Sequence, residues 1–485
     1  MYAPDRHHKI YSIEEWWSDR WNPLEYWALF NFGESFFIQW QRLFEAVPKV
    51  CVWWMSNENS EYTNFVMFSK DCYLIASGRN NERCLYSRNV RDCINAVDCL
   101  QVNQSEDIYE VIACSGCTNL THSFHVFWSR DSSYLYFCEW CDNCFWCVNL
   151  TNKSYHIFNK PYPKEDYILE LKRLKSMDPE ELKSKIKTHL LSKPRRALNS
   201  FSNEWTATYD YIRNSKEIKQ SSFIADCENI SYSFEQEKSH DLQDCCMGWW
   251  GNQFVYESVA IWMNEFNDAF CITFTNSQSI YYCESCYNSS NLFGCVGLRN
   301  AQYCILNKQY SKEEYEILVP KIIELMESDK QWWEFFPPSI SPFWYNETIA
   351  NEYFPLDKAE ATKNEFNWSD YENPKPEVSK IIPASKLPAK ISEIPDDIIN
   401  WAIECSETGK PFRIIKSELE FYRKHDLPLP HKHPDIRHID RMHLRNPREL
   451  HDRRCEKCSI EIKTTYSPNA KEIVYCNECY NKEIV

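Results

Sequence analysis

The feature that most constrains this chain is an internal duplication. Residues 133–167 read SYLYFCEWCDNCFWCVNLTNKSYHIFNKPYPKEDY, and residues 279–315 read SIYYCESCYNSSNLFGCVGLRNAQYCILNKQYSKEEY. Cys138 and Cys141 align with Cys283 and Cys286, Cys147-Val148 with Cys295-Val296, and Asn159-Lys160 with Asn307-Lys308. Each copy runs on into a stretch of helical character, 164–190 and 311–328. Two related domains in tandem follow directly.

Upstream of each copy lie short apolar pieces broken by Asp-Cys pairs: Asp71-Cys72, Asp92-Cys93 and Asp98-Cys99, then Asp226-Cys227 and Asp244-Cys245. The step from Cys72 to Cys93 equals the step from Cys93 to Cys114, twenty-one positions each. A fixed period means stacked units, and a step of this size predicts one coil of a β-solenoid. Small side chains at matching places would stack inside, Asn and Asp would turn the corners, and the helix ending each copy would cover an open strand edge. The run Cys138, Cys141, Cys144, Cys147 has spacing that could hold a metal. The second copy has Ser289 and Ser290 in the region of Cys144, so interior packing is the reading that accounts for both copies.

At 485 residues two to four domains are expected. Only 8 residues are glycine, and neither GxGxxG nor GxxxxGK[ST] occurs, which argues against Rossmann and P-loop phosphate sites. A net charge of -16 excludes a general nucleic-acid coat. No apolar run reaches the ~18 residues of a membrane span, so no membrane association is expected. Met1 to Tyr11 lacks an apolar export signal, so the expected location is the cytoplasm, where the 24 cysteines read as metal ligands or buried hydrophobes.

The fold class expected is therefore mainly β with capping helices: two tandem β-solenoid domains and a C-terminal zinc-ribbon or treble-clef-like module. Residues 1–50 form an aromatic capping segment in which Phe36, Phe37, Trp40, Leu43 and Phe44 make one helical face, read as a cap on the first solenoid. Residues 51–195 and 196–330 are the solenoids with their helices. Residues 331–395 combine an aromatic wrap, Trp332 to Tyr345, with a proline-rich linker, and 396–485 form a basic metal-binding module.

In that module Cys455-x-x-Cys458 and Cys476-x-x-Cys479 are separated by a stretch of the length found in closed tetrahedral zinc sites. Ile460–Tyr466 and Glu472–Tyr475 read as hairpin strands joined through Ser467-Pro468-Asn469. One structural Zn2+ is expected, with no position open for catalysis; rubredoxin-like iron, a dithiol redox pair and free thiols are the alternatives. Cys405 and His433 mark a candidate second metal site in which Thr408 and Ile436 stand where two further ligands are wanted, so a second ion is not expected.

Residues 410–454 hold twelve Lys or Arg against seven Asp or Glu. Arg437, Arg441, Arg445 and Arg448 fall close to one helical face, and with Arg453 and Arg454 they are candidate nucleic-acid contacts. The competing reading pairs this helix with acids of the solenoid surface.

The segments CSETGKPFRIIKSELEFYRKHDLPLP, HKHPDIRHIDR, LRNPRELHDRRCEKC, TTYSPNAKEIVYCNECY and NENSEYTNF resemble an uncharacterised bacterial family of cysteine-rich proteins. Its members join zinc-ribbon modules to repetitive DC/NC-rich domains. The resemblance implies a second zinc knuckle around Cys405, from which this chain departs at Thr408, His433 and Ile436. At the N-terminus, Tyr2-Ala-Pro-Asp5 with Ile10-Tyr11-Ser12 parallels Tyr466-Ser-Pro-Asn469 with Val474-Tyr475-Cys476, stripped of ligands. The function expected is a zinc-binding, non-enzymatic scaffold or adaptor, with nucleic acid, a ribonucleoprotein or other proteins as partners. The alternatives are a carbohydrate-active enzyme built on the solenoid surface and a thiol-redox or metal-storage protein. No catalytic residues are assigned.

Overall fold

From residue 56 onward every third residue takes a left-handed backbone conformation: Ser56, Asn59, Tyr62, Phe65, Phe68 and Asp71 begin the series, and Asn152, Tyr155 and Phe158 end it. The computed structural model describes residues 2–484 except 53, 176, 178, 202, 204–210, 373 and 375. One bend per triplet makes a coil of four short sides. Asn64 pairs with Ala76, Ala76 with Arg88 and Arg88 with Leu100, all in parallel, each partner lying four triplets further along the chain. A second series begins near Tyr211 and ends at Asn307, and the two stretches amount to a β-solenoid of about 19 turns.

The left-handed conformation costs a residue with a Cβ roughly 1–2 kcal/mol, and Asn and Asp tolerate it best. That explains the Asp-Cys and Asn-Cys pairs. Asp71, Asp92, Asp98, Asp226 and Asp244 are left-handed, and the cysteine after each points into the coil. Cys138, Cys141, Cys144 and Cys147 are thus one complete circuit of the interior, one inward thiol per side, all free and buried.

A four-triplet coil leaves a narrow interior, and its polar atoms are satisfied by a ladder between successive coils. The Ser87 hydroxyl accepts from the Cys99 N–H at 2.9 Å, Ser123 from Leu135 at 3.0 Å, and Ser129 from Cys141 at 3.0 Å. Thiols join the same network: Cys138 Sγ donates to the carbonyls of Tyr136 at 3.4 Å and Cys147 at 3.5 Å. Cysteine and serine suit these positions because they are small and can each pair with backbone.

The coil length expected from the step between Cys72, Cys93 and Cys114 is wrong. The true coil is four triplets, and in the second solenoid it lengthens by one position where His240 pairs with Gln253 and Val259 with Ile272. The cysteine step is seven triplets, which is not a whole number of coils, so Cys72, Cys93 and Cys114 lie in three different interior columns.

Packing divides the chain into two units. In the unit of Met1–Cys51, Arg196–Asp370 and Pro447–Ala470, the helix Phe36–Ala46 covers the second solenoid, correcting its assignment to the first. Trp40 Nε1 donates to the Tyr282 carbonyl at 2.9 Å, and Phe36 meets Phe293 at 5.5 Å. Gly294 is left-handed, and a Cβ there would stand 2.9 Å from the Phe36 ring, so the helix demands glycine at that corner. Phe336 packs on Trp40 from the other side at 4.3 Å.

In the unit of Val52–Arg195, Tyr371–Asn446 and Lys471–Val485, the first solenoid is followed by helices Lys164–Lys175 and Pro179–Leu191. Tyr167 and Leu174 pack on Phe145, Trp146 and Ile157. Helices Lys416–Lys424 and Pro434–His443 bury Leu419, Phe421 and Tyr422 against Leu85, Tyr86, Val97 and Tyr109 of the solenoid.

Candidate metal centre

The strands His451–Arg454 and Glu461–Thr464 pair antiparallel around the first cysteine pair. The expected hairpin between Ile460–Tyr466 and Glu472–Tyr475 is therefore replaced by one whose tight turn is the knuckle itself. Cys455 N–H donates to the Ile460 carbonyl at 2.9 Å, and Ser459 N–H to the Cys455 carbonyl at 2.8 Å. Ser459 closes the turn with φ +62°. The second pair opens the helix Asn477–Ile484, where Cys479 N–H donates to Cys476 Sγ at 3.4 Å and Tyr480 N–H to the Cys476 carbonyl at 2.9 Å.

These two turns bring the sulfurs of Cys455, Cys458, Cys476 and Cys479 within 4.8 Å of one another. A tetrahedral ion with sulfur at about 2.3 Å requires sulfurs roughly 3.8 Å apart, so the donor set fits such an ion with minor adjustment. Cys455 and Cys476 are buried and Cys458 is exposed. Four protein ligands would leave no coordination position for water or substrate.

Around Cys405 the same turn is built without the same ligands. Cys405 N–H donates to the Lys410 carbonyl at 3.0 Å, Gly409 N–H donates to the Cys405 carbonyl at 3.0 Å, and Gly409 has φ +69°. His433 then caps the helix Pro434–His443, its Nδ1 accepting from Asp435 N–H at 3.2 Å, as Cys476 caps its own helix. Ser12 does likewise at the N-terminus, accepting from Glu15 N–H at 3.1 Å after the strand Ile10–Tyr11. The paired-cysteine module thus recurs with Thr408 and Ile436 in place of two thiols. Burial pushes the Cys405 thiol up, but the Thr408 hydroxyl and nearby backbone N–H groups outweigh it and bring the thiol down to about 7. Among the described residues the group of four cysteines is the only one of three or more metal-ligating side chains, so Cys405 and His433 belong to none.

The arginines serve other ends. Arg437 and Arg441 are buried, and both bind the Asp98 carboxylate, Arg441 Nη1 at 2.9 Å. Arg437 also reaches Glu418 at 3.4 Å, and Tyr86 and Tyr422 each donate a hydroxyl to Glu418 at 2.9 Å. Burial raises the Glu418 carboxyl above its ordinary range, although Arg437 pulls the other way. A buried guanidinium held by acids cannot meet a phosphate backbone, so the nucleic-acid assignment fails for Arg437 and Arg441. Arg448 lies over Phe234 at 4.4 Å and Tyr353 at 3.8 Å and pairs with Glu235 at 3.5 Å. Arg453 bonds Glu456 at 2.7 Å and the Ser467 carbonyl at 3.2 Å, Arg454 reaches Glu461 at 3.4 Å from an exposed position, and Arg445 is half-buried.

From the sequence Asp98 reads only as a corner residue, and Glu418 is not singled out. The signal that places Asp98 is its phase: it is a left-handed corner residue, one coil after Tyr86 and one coil before Glu110, in a column facing the C-terminal helices. Compared with known proteins, the chain matches no family model, and no curated protein matches it significantly. Among the described residues no helix is long and apolar enough to cross a membrane.

Proposed function

We propose that the chain is a non-enzymatic binding scaffold whose C-terminal module is held by one structural zinc ion on Cys455, Cys458, Cys476 and Cys479. The observation that carries this reading is the convergence of four sulfurs within 4.8 Å on two short turns. Zinc is favoured over other ions because an all-thiolate tetrahedral site suits it, and a closed site is structural. The solenoids supply long regular faces on an acidic chain, suited to protein partners. All 24 cysteines are free, which fits a reducing, cytoplasmic setting. The charge of the basic helix is better explained by the chain's own acids, Asp98 and Glu418, than by nucleic acid.

Elemental analysis of the purified protein tests the proposal. One zinc per chain, lost in Cys455→Ser/Cys458→Ser, is the expected result. Iron, or no metal, overturns the zinc reading.

A further inference from the structure

Beyond a scaffold role, the unit formed by the first solenoid and residues 371–446 carries a half-open groove of about 650 Å³. Its floor is one corner column of the solenoid. Glu110, His122, Tyr134 and Trp146 are left-handed residues at one-coil intervals, continuing the column in which Asp98 anchors Arg437 and Arg441. Its opposite wall comes from Lys432, Asp440 and Leu444.

The column is preorganised. Glu110 Oε2 meets His122 Nδ1 at 2.6 Å, the His122 ring stacks on Tyr134 at 4.7 Å, and Tyr134 stacks on Trp146 at 3.8 Å. Glu110 fixes the imidazole by holding one ring nitrogen, and no described residue bonds Nε2. The Tyr134 hydroxyl likewise has no partner among the described residues, and Trp146 Nε1 is buried without one. An unpaired buried N–H is costly and marks a place where a partner is missing.

Three features narrow the ligand. The volume lies in the range of small-molecule sites, roughly 300–1,000 Å³. Rings 3.8 Å apart leave no space for a planar base to insert, so stacking recognition of a heterocycle is closed off at Tyr134 and Trp146. The lysine and arginine charges of the walls are matched by acids: Lys432 by Glu407 at 2.7 Å and Asp440 at 2.8 Å, Arg441 by Asp98 at 2.9 Å, and Arg437 by Asp98 and Glu418, while Arg437 Nε and Arg441 Nε are buried without a partner. No unmatched lysine or arginine charge remains to favour a phosphate over a neutral acceptor. What remains is a carboxylate acceptor, an imidazole, a phenol and an indole N–H, set among Ile112, Phe124 and Leu444. We propose that this groove binds a neutral, polyhydroxylated ring, a mono- or disaccharide, with Glu110, His122 and Tyr134 pairing to its hydroxyls.

Saturation-transfer NMR on the full chain tests this with glucose, N-acetylglucosamine and cellobiose, and with glucose 6-phosphate and AMP as charged counterparts. The expected result is transfer to at least one neutral sugar, weakened about tenfold or more by His122→Ala and about fivefold by Tyr134→Phe, which removes one hydroxyl and keeps the stack. Glu110→Gln should weaken binding while the circular dichroism spectrum stays unchanged. Binding of only the charged compounds, no binding of any sugar, or sugar binding untouched by Tyr134→Phe and Glu110→Gln would each overturn the proposal.

Discussion

Asn307 closes the second solenoid by pairing with both backbone groups of Val296: its Oδ1 accepts from the Val296 N–H at 2.8 Å and its Nδ2 donates to the Val296 carbonyl at 2.8 Å. Asn159 does the same to Val148 in the first solenoid, at 2.8 and 2.7 Å. The side-chain amide stands in for the coil that does not follow, which is why Cys-Val and Asn-Lys recur together in the duplicated segments.

Replacing Asn307 with Ala leaves a buried N–H and a buried carbonyl at Val296 without their partners, and also removes the bond to the Pro23 carbonyl at 3.0 Å. A loss of about 2–4 kcal/mol is expected. Urea unfolding followed by tryptophan fluorescence measures it. A change below about 0.5 kcal/mol would show that the amide is not what ends the stack.

Asp98 is the shared anchor of two buried guanidinium groups. Asp98→Ala strands both and should cost about 3–5 kcal/mol. Because the pairs are shielded from solvent, the loss caused by Asp98→Ala should change little between low and high salt. A strong salt dependence of the Asp98 contribution in denaturation would place the arginines in solvent instead.

Inside the second solenoid Glu265 and Asp268 are both buried, and burial holds both carboxyls far above their ordinary range, with the Asp268 charge adding to the effect on Glu265. Their folded-state pKa values exceed the unfolded ones, so the folded protein binds more protons. This contribution to stability is complete below the ordinary carboxyl range and is lost as pH rises toward the elevated folded values. Glu265→Gln keeps an acceptor for the Ser277 N–H, now at 3.1 Å, and should raise the melting temperature at neutral pH. It should also flatten the decline between about pH 5 and pH 8. A melting curve with unchanged pH dependence would count against the buried pair.

The turn around Cys405 retains the hydrogen bonds of the Cys455 turn but lacks two thiol donors. Thr408→Cys with Ile436→Cys supplies them beside Cys405 and His433, and the doubly substituted protein should bind one more zinc per chain than the parent. Elemental analysis decides the point; an unchanged metal content would mean that the two half-sites do not converge.

Thiol labelling separates the clustered cysteines from those that pack inside the coils. Cys458 is exposed, whereas Cys93 and Cys117 are buried and burial pushes both thiols up to about 11. Treatment with a chelator should make Cys458 react first, with the buried interior thiols of the solenoids labelled only on unfolding. Solenoid thiols that react in the native state at the rate of Cys458 would contradict the packing role.

Local chemistry was legible in the residues. The Asp-Cys pairs, the interior cysteines and each paired-cysteine turn depend on neighbours within a few positions, and short-range spacing records them, while the duplication shows as plain repetition of the same residues. The recurrence of triplets was also present in the residues, yet every multiple of three looks like a period, and the step from Cys72 to Cys93 is one such multiple. How many triplets close a coil depends on hydrogen bonds between successive coils, which no single triplet encodes. The partners of the flanking elements lie further away still. Trp40 meets Tyr282 across 242 residues and Arg441 meets Asp98 across 343. An amphipathic helix or a run of arginines carries the same pattern whether it faces one solenoid, another or solvent. Sequence by itself therefore determined the corner chemistry and the two paired-cysteine turns, while tertiary structure decided the coil length, the solenoid that the aromatic helix covers and the burial of the arginines, because those depend on which distant surfaces exclude water together.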